Sequence, residues 1–152
     1  MAKDGPDTAV ELRARALRLL ARREHARAEL ARKLAPRAES SEALGELLDA
    51  LERGKQLSEA RYAEVRVRQL SRKYGAARIR RDLKASGVGG DIIDRVSGEG
   101  ELERARAILE RKYRTPATSR EERARRMRFL QSRGFSSDVI FRLLSPRADP
   151  ER

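Results

Sequence analysis

The stretch Tyr74-Gly75-Ala76-Ala77-Arg78-Ile79-Arg80-Arg81-Asp82-Leu83-Lys84-Ala85-Ser86-Gly87-Val88 decides the fold of this 152-residue chain. Gly75 is an acceptable residue to start a helix. Ala76, Ile79 and Leu83 recur at three- and four-residue spacing and draw one apolar stripe. Gly87 stands where a helix turns left-handed at its end, and Val88 follows where a Schellman ending places an apolar contact. The other faces carry Arg78, Arg80, Arg81 and Lys84 against one acid, Asp82. The spacing therefore predicts a short amphipathic helix with a narrow buried face and a broad cationic one.

Similar helices lie on both sides of it. Residues 1–7 read as a loose leader, after which Thr8-Ala9-Val10-Glu11 forms a capping box. Val10, Ala14, Leu17 and Ala21, with Leu20 beside them, predict the inner face of a first helix. A second starts near Ala26, carries Leu30 and Leu34, and stops at Pro36. Ser40 or Ser41 caps a third, with Leu44, Leu47, Leu48 and Leu51 inward and Gly54 closing it. Ser58 opens a longer helix with Ala63, Val67 and Leu70 inward, and a short one with Ile92, Ile93 and Val96 follows the central stretch. Glu101–Lys112 is helical again, and Ser119-Arg120-Glu121-Glu122 is a second capping box leading into Ala124, Met127 and Leu130. Gly134-Phe135 repeats the ending at Gly87-Val88. Ser136 or Ser137 caps a last helix with Val139, Ile140, Leu143 and Leu144, which Pro146 ends.

The count is nine helices in three groups of three. Leu34, Leu83 and Leu130 hold equivalent places in the second helix of each group, at spacings of 49 and 47 residues. A period in that range points to tandem three-helix units. Their expected bounds are 8–56, 57–99 and 100–145, between the leader and a flexible tail at 146–152.

Composition narrows the function. Hydrophobic and charged residues each make up 39% of the chain, too little apolar material for one thick core but enough for several thin helical units. The net charge of +12 predicts a polyanionic partner or a strongly acidic protein surface. Without cysteine, disulfides and thiolate chemistry are excluded, and a single histidine, His25, cannot build a His-rich metal site. His25 reads as a packing or capping residue at a helix junction. Nothing in the first seven residues resembles a signal peptide, and no apolar run approaches a bilayer span. The expectation is a soluble intracellular protein.

No phosphate-cradling Gly-x-x-x-x-Gly-Lys loop is present, and no nucleophile, base and orienting group can be nominated together. Glu99, Glu101 and Glu103 sit near a helix start, where they suit its dipole. The chain reads as a non-enzyme without cofactor or catalytic residues. Its charge is concentrated: Arg61 to Lys84 holds nine basic residues and two acids, Glu64 and Asp82. Most of these cations lack a local acidic partner. The candidate contact residues are Arg61, Arg66, Arg68, Arg72, Lys73, Tyr74, Arg78, Arg81 and Lys84. Tyr62 and Tyr74 lie in the same segment, where their rings either stack on bases or wedge between helices, the wedge being favoured for Tyr74.

Four stretches carry a resemblance to the RecX family, the regulators of the bacterial RecA recombinase. They are Arg23-Glu24-His25-Ala26-Arg27-Ala28-Glu29-Leu30-Ala31-Arg32-Lys33-Leu34, Leu57-Ser58-Glu59-Ala60-Arg61-Tyr62-Ala63, Lys73-Tyr74-Gly75-Ala76-Ala77-Arg78-Ile79 running on to Gly87-Val88, and Phe129-Leu130-Gln131-Ser132-Arg133-Gly134-Phe135 with Asp138 and Ile140. They occur in family order across roughly residues 10–145. Ala26 departs from the pattern, standing where the family often has a hydroxyl residue able to cap the second helix. A frayed start is expected there, since a lost cap costs about 0.5–2 kcal/mol.

The resemblance implies an all-α protein of three tandem, helix-turn-helix-like repeats in an elongated, curved arrangement. It also implies a cytoplasmic, monomeric, chiefly inhibitory regulator that binds the RecA filament on single-stranded DNA. Filament growth, ATPase, strand exchange and the SOS response would be restrained, with direct contact to DNA phosphate an open possibility. Two other readings remain: a basic helix-turn-helix-type nucleic-acid binder using Arg61–Lys73 and Gly75–Lys84, and a helical adaptor for an unrelated acidic protein.

Overall fold

The computed structural model describes residues 4–145. Among the described residues there are nine α-helices and no strand, so the all-helical expectation holds. In chain order they are α1 (Ala9–Arg22), α2 (Arg27–Leu34), α3 (Ser41–Arg53), α4 (Glu59–Leu70), α5 (Ala76–Ala85), α6 (Gly90–Ile93), α7 (Glu101–Lys112), α8 (Arg120–Ser132) and α9 (Ser137–Leu144), with a 3-10 turn, Ala35–Arg37, after α2. None is long and apolar enough to cross a membrane. The first three residues of the expected leader, the stop at Pro146 and the expected tail at 146–152 lie outside the described residues.

The ends of the helices follow their sequence. Thr8, Ser40, Ser119 and Ser136 each accept a backbone N–H of the first turn, at 3.2, 3.0, 3.1 and 3.3 Å. In the second capping box the Glu122 carboxylate reaches one residue further back than expected, to the Thr118 N–H at 2.8 Å. Gly87 and Gly134 are left-handed, with φ of 81° and 83°. Val88 N–H donates to Leu83 and Gly87 N–H to Lys84, at 3.1 and 3.0 Å. Phe135 and Gly134 donate to Leu130 and Gln131 in the same way, at 3.2 and 3.0 Å. Both are Schellman endings, and the predicted apolar residues Val88 and Phe135 are buried. At the end of α3 the left-handed residue is Lys55, with φ 62°, and Gly54 before it stays right-handed at −80°.

The chain divides into two compact units, and the division passes through α4 after Arg66 and through α5 after Asp82. The first comprises the described residues up to Arg66 with Leu83–Ile93. Its core is Leu12, Ala16, Leu30, Leu34, Leu48, Leu51 and Leu57, flanked by Leu19, Leu20, Leu44 and Leu47. This corrects the expected inner face of α1: Leu12 and Ala16 are buried, while Val10 is 80% exposed. Asp7, expected in a loose leader, is buried as well. Its carboxylate accepts from Arg15 Nε at 2.8 Å and Arg37 Nη2 at 3.0 Å, and its N–H donates to the Arg37 carbonyl at 2.8 Å. The Arg15 hydrogen bond, supported by Arg37, holds this carboxyl down to about 2 against its burial.

His25 is a packing residue, 2% exposed. Its Nε2 lies 3.0 Å from Lys33 Nζ and its Nδ1 lies 3.1 Å from the Arg23 carbonyl. Lysine only donates and a carbonyl only accepts, so the ring is neutral with its proton on Nδ1. Ala26 offers α2 no side-chain cap, and Glu29 is gripped by both Nη atoms of Arg23, at 3.0 and 2.6 Å.

The second unit comprises Val67–Asp82 and the described residues from Asp94 on. Ala105, Ile108, Leu130, Phe135, Ile140 and Leu144 form its core, with Leu109, Met127, Phe129, Val139 and Leu143 against it. The short helix expected to include Val96 ends at Ile93, although Val96 itself is buried. At the start of α5, Gly75 N–H donates to the Arg133 carbonyl at 2.8 Å. A Cβ on Gly75 would stand 2.5 Å from the Gly134 carbonyl oxygen, and one on Gly134 would stand 2.5 Å from Arg78 Cβ. The two glycines let backbone meet backbone, which no other residue permits here.

A candidate cationic interface

The nine expected contact residues do not share one situation. Arg61, Arg66 and Lys84 fall in the first unit, and Arg68, Arg72, Lys73, Tyr74, Arg78 and Arg81 in the second. Arg61 is occupied. Its Nε donates to Glu24 Oε1 at 2.8 Å and its Nη2 to the carbonyls of Lys55 and Gln56, at 2.7 and 3.3 Å. It therefore ties the α3–α4 loop, including left-handed Lys55, to the α1–α2 connection. Arg66 is half-buried, and Lys84 is exposed in the last turn of α5. Tyr62 is buried and its hydroxyl donates to Ser86 Oγ at 3.1 Å, so its ring packs and does not present itself for stacking.

In the second unit Arg68, Arg72, Lys73, Arg78 and Arg81 are exposed. Arg72 also accepts, through its carbonyl, from Arg111 Nη2 at 2.8 Å. Arg80, in the same run, donates to the Val96 carbonyl at 2.6 Å. Tyr74 is half-buried, with the guanidinium carbons of Arg78 and Arg133 at 4.9 and 5.4 Å from its ring centre. The favoured wedge is thus a ring dressed by cations.

From Tyr74 the pattern continues through residues outside the expected segment. Arg133 also lies 5.2 Å from the Phe129 ring, and Lys112 Nζ lies 4.1 Å from it. Tyr113 meets Phe129 edge to face at 6.1 Å, and Arg126 lies 4.5 Å from the Tyr113 ring. Cation and ring alternate, each ring face attracting a charge without neutralising it. The result is a positive surface whose side chains are partly fixed before any partner arrives. It holds three of the chain's six aromatic residues.

Lys112, Tyr113, Arg126, Phe129 and Arg133 were missed by counting charge along Arg61–Lys84 alone. Two signals were available: the basic-aromatic pairs Lys73-Tyr74 and Lys112-Tyr113, and the recurrence of Arg126, Phe129 and Arg133 at helical spacing along α8 and its capping residue. Glu101 stands in the first turn of α7, as expected, and has a second role. It is buried, and its Oε1 accepts the Ala76 N–H at 3.2 Å, so it caps α5 from the start of α7.

Comparison with known proteins gives this arrangement a class. Residues 99–144 match the model for the third three-helix domain of RecX, and residues 58–96 match that for the second. The class is thus one of helical proteins assembled from three-helix domains. A protein of Ralstonia nicotianae named Regulatory protein RecX is 43% identical over 142 residues, covering 91% of this chain and 89% of the relative. One of the same name from Pseudomonas putida is 46% identical over 147 residues, covering 93% and 94%. The crystal structure of RecX from Lactobacillus salivarius superposes with a TM-score of 0.78 at 20% identity, over 89% of this chain and 93% of that one, which supports the fold. The chain belongs to the RecX family.

Proposed function

We propose that this protein is a non-enzymatic regulator, chiefly an inhibitor, of the RecA recombinase. It acts in the cytoplasm as a monomer of three tandem three-helix units, bounded near 8–56, 57–99 and 100–145. It binds the RecA filament on single-stranded DNA and limits filament growth, ATPase, strand exchange and SOS signalling. The observation that carries this reading is 43–46% identity, over about nine-tenths of the chain, to proteins named Regulatory protein RecX. The cationic surface supports it, because a nucleoprotein filament presents phosphate and acidic side chains together. Of the residues expected at the contact, Arg68, Arg72, Lys73, Tyr74, Arg78 and Arg81 form the core of the proposed surface. Arg66 and Lys84, in the first unit, are proposed as contacts in their own right, and Arg61 serves the fold first.

The test is the single-stranded-DNA-dependent ATPase of RecA, titrated with this protein at two salt concentrations. Inhibition well below one protein per RecA is expected. Inhibition that begins only when the DNA is coated, with a steep salt dependence, would replace this reading with the direct nucleic-acid binder. Indifference to both RecA and DNA would leave the adaptor.

A further inference from the structure

Within the second unit, α7, the loop after it, α8 and the end of α9 line an open cavity of about 710 Å³ that shares Tyr113 and Arg126 with the cationic surface. That volume lies inside the range of roughly 300–1,000 Å³ typical of small-ligand sites. Arg106, Arg114, Arg123 and Arg126 line it, with Leu109 and Leu144 as apolar wall. Glu110 is the one acid on its lining.

Arg126 is the unusual member. It is only 8% exposed, yet among the described residues its guanidinium makes no hydrogen bond or ion pair; the Tyr113 ring lies against it, and the Glu122 carboxylate is near enough to feel its charge. Glu122, one turn earlier on α8, is held by Thr118 through both the N–H and the hydroxyl, at 2.8 and 3.3 Å. None of the Arg126 nitrogens is sealed from solvent without a partner, so its unused donors are open to solvent, where an anion can meet them. Four guanidinium groups against the carboxylates of Glu110 and Glu122 leave positive charge in excess, which suits an anionic ligand, and the planar fork of arginine matches phosphate oxygens in pairs. The leucine wall suits the less polar body to which such a phosphate is attached.

We propose that this cavity is a binding site for a nucleotide phosphate, with Arg126 as its buried anchor and Arg106, Arg114 and Arg123 around it. The phosphate arrives on a free nucleotide or on one unit of a single strand; the shared chemistry is what the cavity reads. The site is intrinsic to this chain and does not depend on its meeting RecA.

Two probes separate the sources: ADP, and a fluorescein-labelled ten-nucleotide oligothymidylate. Each is titrated into the full chain, into Arg126→Gln, into the exposed pair Arg106→Glu/Arg114→Glu, and into Arg18→Glu/Arg22→Glu. The last pair lies on exposed α1 positions and removes the same charge far from the cavity in sequence. Circular dichroism checks that each variant is folded. The expected result is binding weakened at least tenfold in the cavity pair and retained in the α1 pair. Loss seen with ADP assigns a free nucleotide, and loss seen only with the oligothymidylate assigns a strand. Equal weakening by both pairs would reduce the effect to net charge and overturn the site. So would a wild-type chain that binds neither probe, or a folded Arg126→Gln that binds like wild type.

Discussion

Gly75 and Gly134 meet backbone to backbone: Gly75 has no room for a Cβ beside the Gly134 carbonyl, and Gly134 has none beside Arg78. Helix α5 can therefore begin directly against the ending of α8. Gly75→Ala is expected to lose about 1–3 kcal/mol through overpacking. Gly134→Ala adds a left-handed cost of about 1–2 kcal/mol to a similar clash. Because both alanines would push on the same gap, the double variant should lose less than the sum of the singles. Urea unfolding of all three checks this, and strict additivity would show that the glycines do not share a contact.

Glu101 acts on a helix other than its own. Removing its carboxylate orphans the buried Ala76 N–H, which costs about 1–3 kcal/mol. Glu101→Ala should show that loss in thermal unfolding, while Glu101→Gln keeps an acceptor and should recover most of it. Equal losses in both would point to the charge at the helix end and not the hydrogen bond.

His25 links stability to pH. Burial, first of all, pushes its pKa below the ordinary 6.5. The folded chain thus favours the neutral ring, and the unfolded chain binds more protons just below that pH. The contribution is present in full above about 6.5 and is lost as pH falls from there through the lower folded value. Denaturation midpoints of wild type should decline from pH 7 to pH 5 more steeply than those of His25→Gln. Parallel slopes would exclude the histidine as the cause.

Arg72, Lys73 and Arg81 test the proposed filament contact. All three side chains are exposed, and Arg72 supports the fold through its carbonyl, which substitution leaves in place. Reversal of all three to glutamate should shift stability by no more than about 0.5 kcal/mol per site. It should weaken inhibition of the RecA ATPase about tenfold or more. Full inhibition by the triple variant would remove this surface from the contact.

Local chemistry was readable where it is written within a few residues. The serine and threonine caps and both Gly-apolar endings lie where their sequences place them, since each depends on neighbours within one turn. The face of α1 was not readable. Leu12 and Ala16 compete with Val10, Ala14 and Leu17 at similar spacing, and the choice is made by the packing of α2 and α3. Asp7 escaped notice because one of its partners, Arg37, is thirty residues away. Arg126 escaped because charge predicts exposure, and its contact with the Tyr113 ring is tertiary. The candidate surface was half visible for the same reason: its cations announce themselves singly, but their pairing with rings is tertiary.

The clamp at Arg61 has a consequence for anyone scanning this protein in living cells. Its loss frees Glu24 and the carbonyls of Lys55 and Gln56, so a variant there will first be thinned by proteolysis and only afterwards be less able to recognise anything. A phenotype at that position reports abundance, and it should be divided by the amount of protein present before it is compared with one at Arg72 or Arg81.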